Sequence, residues 1–116
     1  MKAILLSICL LFAATTLANA HSVVTNSNPE SGAILSAAPT SLEISFSKPT
    51  HIVKASLSHN DGDAAKLTVS TKEPTKTVSF TPAPKAVGDY VLNWRALSQD
   101  GHVLKGSIKF SIAEAK

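Results

Sequence analysis

Residues 88–112 read Gly88-Asp-Tyr-Val-Leu-Asn-Trp-Arg-Ala-Leu-Ser-Gln-Asp-Gly-His102, followed by Val-Leu-Lys-Gly-Ser-Ile-Lys-Phe-Ser-Ile112. Large apolar residues recur at every second position on both sides of residues 98–102, which form a polar, glycine-containing loop. The alternating residues are Tyr90, Leu92, Trp94 and Ala96, then Ile108, Phe110 and Ile112. Since successive side chains of a strand face opposite sides, this period predicts two strands, each with one buried face.

The same alternation recurs upstream, in shorter segments separated by turn residues. The residues that define these segments are Val23-Val24-Thr25, then Leu42, Ile44 and Phe46, then Val53, Ala55 and Leu57, then Leu67 and Val69, then Val78 and Phe80. The Lys48-Pro-Thr50 segment is expected to end one strand, and residues 60–63 to form a tight turn whose Asp-Gly pair takes positive φ angles. Seven short strands predict an all-β fold, a seven-stranded immunoglobulin-like antiparallel β-sandwich with Greek-key connections and Trp94 in its core.

Residues 1–20 have the features of a cleaved secretory signal peptide. Lys2 precedes an apolar run over residues 3–14, and Ala18 and Ala20 provide an A-x-A cleavage pattern. The run is too short to span a membrane, which takes about 20 apolar residues. We therefore expect a single mature domain, residues 21–116, that is secreted, does not insert into a membrane and begins with His21.

The composition of residues 21–116 excludes several classes of function. Cys9 and Met1 both precede His21, so the mature chain has no disulfide, no thiolate metal site and no cysteine nucleophile. Without Lys2 the 11 basic residues fall to 10, against 8 acidic ones, and the charges are scattered. Nucleic-acid binding needs a basic stripe or an aromatic platform, and neither is seen. No Gly-x-Ser-x-Gly elbow or carboxylate pair suggests a hydrolase.

A histidine at the mature N-terminus can bind a metal ion through two nitrogens, the α-amine and the imidazole Nδ1. The two donors belong to one residue, so together they close a six-membered chelate ring. His21 takes this position if cleavage follows Ala20. A secreted chain can also begin with histidine by chance, and this residue alone does not decide between the two.

Asp100-Gly101-His102 supplies a second group of candidate ligands. Residues two apart project to the same side of an extended segment, so a carboxylate and an imidazole can meet one ion. Asp-Gly is also an ordinary hairpin turn. If the loop and the chain start lie at the same end of the sandwich, His21, Asp100 and His102 together offer three nitrogens and one oxygen. Such a set without sulfur favours Cu(II) over Cu(I).

The other two histidines are interpreted as turn residues. His51 follows a proline that we expect to end a strand, and His59 precedes the Asn60-Asp-Gly turn. A weak second metal site involving them stays open, although no third or fourth ligand is evident.

The residues quoted above resemble the CopC-type periplasmic copper-binding proteins. The resemblance rests on residues 88–102, on Gly106-Ser-Ile-Lys-Phe110, on the Asn28-Pro-Glu-Ser-Gly32 turn and on Leu42-Glu-Ile-Ser-Phe-Ser47, in order and spacing. It covers residues 21–112 and implies a small β-sandwich that binds one Cu(II) per chain. The ligands that it implies are His21, Asp100 and His102. Some family members also have a methionine-rich Cu(I) site, which this mature chain lacks.

Three functions follow as alternatives. The favoured one is a non-enzymatic, periplasmic Cu(II) carrier or scavenger serving copper homeostasis and resistance, with a CopD-like inner-membrane copper protein as the partner that the resemblance implies. The second is a copper-dependent oxidative enzyme, because an N-terminal histidine brace also occurs in polysaccharide monooxygenases. Those enzymes need open copper positions for oxygen and an extended substrate surface, often with exposed aromatics, whereas the five aromatics of residues 21–116 all fall on predicted inward rows. The third is a metal-free immunoglobulin-like adhesion module.

Overall fold

The computed structural model describes residues 24–114, which form an all-β domain. Its strands are β1 (Val24–Asn28), β2 (Ala33–Leu35), β3 (Leu42–His59), β4 (Ala65–Lys66), β5 (Thr68–Val69), β6 (Thr75–Thr81), β7 (Gly88–Leu97) and β8 (Val103–Ile112). The predicted signal peptide and His21 lie outside the described residues. Residues 24–114 include no helix that is long and apolar enough to cross a membrane.

Strand β3 connects the two sheets of the fold. Its first half pairs with β1 and β6, and its second half, from His51 to His59, pairs with β7 and β4. The expectation of two strands broken at Lys48-Pro49-Thr50 was therefore wrong. The chain turns a corner at these residues without leaving the extended conformation, and the register with β6 shifts between Ser45 and Thr50. Pro49 lies within this irregularity, where the N–H that it lacks interrupts no regular ladder.

The two sheets pack face to face around one apolar core. All five aromatic residues of the described chain are buried, as the alternation predicted: Phe46, Phe80, Tyr90, Trp94 and Phe110. Phe46 lies on the β1–β3–β6 side and Trp94 on the β7–β8 side, and their ring centroids are 5.4 Å apart in an edge-to-face contact. The Tyr90 hydroxyl donates a hydrogen bond to the Ala86 carbonyl at 2.6 Å, a contact typical of immunoglobulin-like sandwiches.

Three details differ from the prediction. The structure has eight strands instead of seven, and β2, which the alternation did not reveal, pairs parallel with β8, so the sheet is mixed. Val53 is exposed instead of buried, because a bulge between Ile52 and Lys54 shifts the alternation and turns Ile52 inward. In the turn after β3, positive φ angles occur at Asn60 and Asp61, one position before the predicted pair.

Candidate metal centre

The loop between β7 and β8 is a compact turn that fixes the positions of Asp100 and His102. The Ser98 amide donates to the His102 carbonyl at 2.9 Å, and the Gly101 amide donates to the Ser98 carbonyl at 3.0 Å. Gly101 has a φ of 88°, in the left-handed region that favours glycine. A residue with a Cβ would be strained there, so the glycine lets the chain reverse between the two candidate ligands.

Asp100 and His102 lie side by side at the tip of this turn. Nδ1 of His102 is 3.0 Å from Oδ2 of Asp100, and both side chains are largely exposed, at 76% for His102 and 68% for Asp100. The Ser98 hydroxyl donates a hydrogen bond to Oδ1 of Asp100 and accepts one from the His102 amide at 3.1 Å. This hydroxyl, together with the positive potential of His102, lowers the pKa of Asp100 below its ordinary value. The carboxylate is therefore ionised throughout the neutral range.

The separation of these two atoms suits two ligands of one metal ion. Ligand bonds of about 2.0–2.2 Å that meet at a right angle place the two donor atoms about 2.8–3.1 Å apart. The observed 3.0 Å between Nδ1 of His102 and Oδ2 of Asp100 falls in this range, and it is also the distance of a direct hydrogen-bonded contact between the two side chains. Asp100 and His102 could each supply one donor atom to a metal ion, and any further donors would have to come from another segment or from solvent.

The β3 corner faces this loop across a cavity of about 570 Å³. The cavity is bordered on one side by Ser47, Lys48, Pro49 and Thr50 and on the other by Ser98, Gln99, Asp100, His102 and Leu104. Strand β1 begins beside the corner, because Val24 lies opposite Phe46, the residue before Ser47, while Asn28 lies opposite Glu43 farther away. The first described residue, Val24, therefore lies at the end of the fold that carries the cavity.

Within residues 24–114, no three His, Cys, Asp or Glu side chains are grouped closely enough to hold a metal ion. The structure brings together two of the three predicted ligands, Asp100 and His102, and His21 lies outside the described residues.

The interpretation of His51 and His59 as turn residues was wrong, because both belong to β3. His51 lies opposite Leu97. The ring of His59 stacks on Tyr90 at 4.5 Å, and its Nε2 is 2.9 Å from the Val87 carbonyl oxygen. His59 thus supports the start of β7 and lies at the opposite end of that strand from the β7–β8 loop.

Two features of the site did not follow from the residue pattern. Ser98 was placed in the loop without a role, although serine side chains in turns commonly hydrogen-bond to neighbouring backbone groups, as this one does to the His102 amide. No local sequence pattern indicated that the β3 corner borders the site. Its position there depends on β3 passing from one sheet to the other beside the loop.

Comparison with known proteins assigns this chain to a family. The CopC domain model matches residues 24–113. Copper resistance protein C of Pseudomonas syringae pv. tomato is 35% identical over 108 residues, with 84% of this chain and 85% of that protein covered. Copper transport protein CutJ of Bacillus subtilis (strain 168) is 34% identical over 103 residues; the match covers 83% of this chain but only 19% of CutJ.

Solved structures have the same fold. CopC from Methylosinus trichosporium OB3b superposes with a TM-score of 0.67 at 22% identity, covering 81% of this chain and 95% of that one. PcoC from Escherichia coli, described as a methionine-rich copper resistance protein, gives a TM-score of 0.57 at 21% identity, covering 78% and 96%. These matches confirm the predicted β-sandwich.

Proposed function

The chain belongs to the CopC domain family, and from this premise we propose that it is a non-enzymatic periplasmic carrier of one Cu(II) ion. In this proposal His21 binds copper through its α-amine and its imidazole, and Asp100 and His102 bind through one carboxylate oxygen and one imidazole nitrogen. Copper arrives at this exposed site, is held there in a form that cannot react freely, and passes to a partner. A CopD-like inner-membrane protein is the first candidate for that partner.

The observation that carries the proposal is the position of the β1 start relative to the cavity. His21 is three residues before Val24, and three Cα-to-Cα steps can span at most about 11 Å. Val24 lies next to the β3 corner, which forms one wall of the cavity, while Asp100 and His102 line the other. This arrangement supports our proposal that an N-terminal histidine reaches the two loop ligands, where it would supply the donors that the loop alone lacks.

The donor set favours Cu(II) as the ion. Three nitrogens and one carboxylate oxygen match the tetragonal geometry of Cu(II), whereas Cu(I) selects soft sulfur ligands. Residues 21–116 contain neither cysteine nor methionine. In this respect the chain differs from PcoC, the relative described as methionine rich. We therefore propose a single Cu(II) site without a separate Cu(I) site.

The carrier role is favoured over oxidation of a polymer. All five aromatic residues of the described chain are buried, which leaves residues 24–114 without an exposed aromatic platform for an extended substrate. Asp100 would also occupy a copper position that oxygen chemistry needs open. The periplasmic location rests on the signal-like residues 1–20.

Substitution of the loop ligands tests the copper site. We expect His102→Ala and Asp100→Ala each to weaken Cu(II) binding by at least about tenfold, because each removes one of four donor groups. The measurement is a competition titration of the processed protein against a chelator of known Cu(II) affinity, with unfolding in urea recorded in parallel. Both side chains are exposed, so the free energy of unfolding should change little.

His51→Ala is the matched control. This substitution also removes one imidazole near the same end of β7, but from β3 instead of from the loop. It should leave the Cu(II) affinity within about twofold of the unmodified protein. If His51→Ala abolished binding while His102→Ala did not, the proposed site would be in the wrong place.

A further inference from the structure

The outward face of strands β3, β7 and β8 carries an ordered row of positive charges. Lys54 lies opposite Arg95, and Arg95 lies opposite Lys105, so the three side chains stand next to one another across three strands. All three are exposed. A parallel row of short polar side chains follows, formed by Ser56, Asn93 and Ser107. The two rows border a shallow cavity of about 530 Å³.

This row lacks compensating negative charge. Like charges directly opposite each other in a sheet are destabilising, yet three positively charged side chains lie side by side in this row. Lys66 lies opposite Ser56 and adds a fourth cation to the same face. Among residues 24–114 the only ion pair within 4.0 Å is that between Asp100 and His102. The charge of the row is thus available to an external anion.

An apolar cluster separates the charged row from the β7–β8 loop. Leu97 lies opposite Val103 of β8 and opposite His51 of β3, and Val53 lies in the β3 bulge that follows His51. Their exposed fractions are 38% for Leu97, 64% for Val103 and 52% for Val53. Three of the five exposed large apolar residues of the described chain therefore lie together, next to the loop that holds Asp100 and His102. We call this cluster and the Lys54–Arg95–Lys105 row the basic face.

We propose that the basic face docks an acidic segment of another protein that exchanges copper with this one. The carboxylates of that segment would lie against Lys54, Arg95 and Lys105, and its apolar side chains would cover Val53, Leu97 and Val103. A partner held in this way has its own copper ligands next to the β7–β8 loop. This assignment deepens the proposed copper-carrier function and rests on it.

Charge and exposure favour an acidic protein segment over two other partners for the basic face, a second copy of this chain and a membrane surface. A second copy of the chain, placed by two-fold symmetry with the same face inward, would bring the cations of one copy against those of the other. Proteins that lie on an anionic membrane typically insert Trp or Phe side chains beside their basic residues, whereas every aromatic residue between 24 and 114 is buried.

Titration with a defined peptide tests the proposal directly. The probe is a synthetic peptide with blocked ends that alternates aspartate with valine, added to copper-free, isotope-labelled processed protein. We expect saturable changes in the backbone amide signals of β3, β7 and β8 around the basic face, and weaker binding as salt is raised. Changes spread over both sheets, or confined to the opposite sheet, would overturn the assignment.

Charge reversal provides the quantitative control. The double variant R95E/K105E should bind the peptide about tenfold more weakly, since two attractive pairs become repulsive. The matched variant K72E/K76E makes the same change in net charge at exposed positions away from this face and should change the affinity less than about twofold. R95Q/K105Q repeats the test if charge reversal impairs folding. Equal losses in the K72E/K76E and R95E/K105E variants would overturn the proposal.

Two further measurements keep this inference separate from the copper proposal. Vesicles containing anionic phospholipid should not bind, and binding of vesicles without binding of the peptide would overturn the choice of a protein partner. R95E/K105E should keep its Cu(II) affinity, because neither residue is among the proposed ligands. Loss of peptide binding with normal Cu(II) binding would thus concern docking alone. Absent Cu(II) binding in the unmodified protein would refute the copper site instead.

Discussion

Strands β7 and β8 and the loop that joins them are stabilised in different ways. The strands pair over ten positions, and alternate side chains along them are buried against the opposite sheet. The loop, residues 98–102, buries none of its residues and keeps its shape through hydrogen bonds to Ser98 and the left-handed Gly101. Burial therefore determines the strands, and local polar contacts determine the turn between them.

This difference predicts that stability and copper binding can be changed independently. The inward residues of β7 and β8 belong to the core, whereas the side chains of Asp100 and His102 are largely exposed. Substitutions in the strands should therefore lower the free energy of unfolding, and substitutions in the loop should lower the Cu(II) affinity.

The largest expected effect is that of Trp94→Ala on stability. Trp94 is 4% exposed and contacts Phe46 across the core. Truncating a large buried aromatic costs about 3–5 kcal/mol, a large part of the roughly 5–15 kcal/mol available to a small domain. Urea unfolding followed by circular dichroism measures the loss. A loss below about 1 kcal/mol would show that this side chain does not organise the core.

Gly106→Ala should destabilise the same region by overpacking. An added Cβ at residue 106 would lie 2.8 Å from Cζ2 of Trp94, closer than such atoms approach. Relief of this clash is expected to cost about 1–3 kcal/mol. Ser107→Ala, on the exposed side of the same strand, is the control and should stay within about 0.5 kcal/mol. Equal stability of the two variants would contradict the close packing of Trp94 on this glycine.

The alternation of residues was sufficient to predict the strands that bury an apolar row. It placed Tyr90, Leu92, Trp94 and Ala96 inward correctly because burial of one face imposes a period of two. It failed at Val53, where a bulge inserts one residue and reverses the faces. It also missed β2, whose three residues are too few to show a period.

The candidate site was predictable only in part. Asp100 and His102 could be selected because a carboxylate and an imidazole two residues apart carry their chemistry in the sequence itself. The β3 corner and the basic face could not, because both arise from register between distant strands. Lys54, Arg95 and Lys105 are separated by many residues in the chain, and only strand pairing makes them neighbours.

Lowering the pH should separate copper binding from folding stability. Imidazoles and α-amines ordinarily titrate near pH 6.5 and 7.7–8.0, and both must be neutral to bind copper. Below pH 6, Cu(II) affinity should therefore fall about tenfold or more per pH unit. The pKa of Asp100 is lowered, so whatever this carboxylate adds to folding stability is lost only as pH falls through that lowered pKa.

Parallel titrations of Cu(II) affinity and of the urea midpoint between pH 5 and pH 7 check this expectation. The affinity should change across this range, while Asp100 makes no contribution to a change in the midpoint. Affinity that stayed constant down to about pH 4, the usual range for a carboxyl group, would mean that nitrogen ligands do not hold the ion.

The smallest expected effect is that of Ser98→Ala. It removes the hydroxyl that donates to Asp100 and accepts from the His102 amide. The pKa of Asp100 should rise toward its ordinary value, which NMR titration of the side-chain carboxyl measures. Cu(II) affinity should fall by a few-fold, and the free energy of unfolding by less than about 1 kcal/mol. An unchanged Asp100 pKa would show that this hydrogen bond does not form in solution.

The central claim, that the α-amine of His21 is a copper ligand, is tested most directly by acetylating that amine. The acetylated protein carries an amide where the processed protein carries a free amine, while the imidazole of His21, Asp100 and His102 are unchanged. Cu(II) affinity and the electron paramagnetic resonance spectrum of the two forms are compared under identical buffer and competitor. Our account predicts weaker binding by the acetylated protein and a spectrum that has lost one nitrogen ligand. Equal affinities and identical spectra would contradict it.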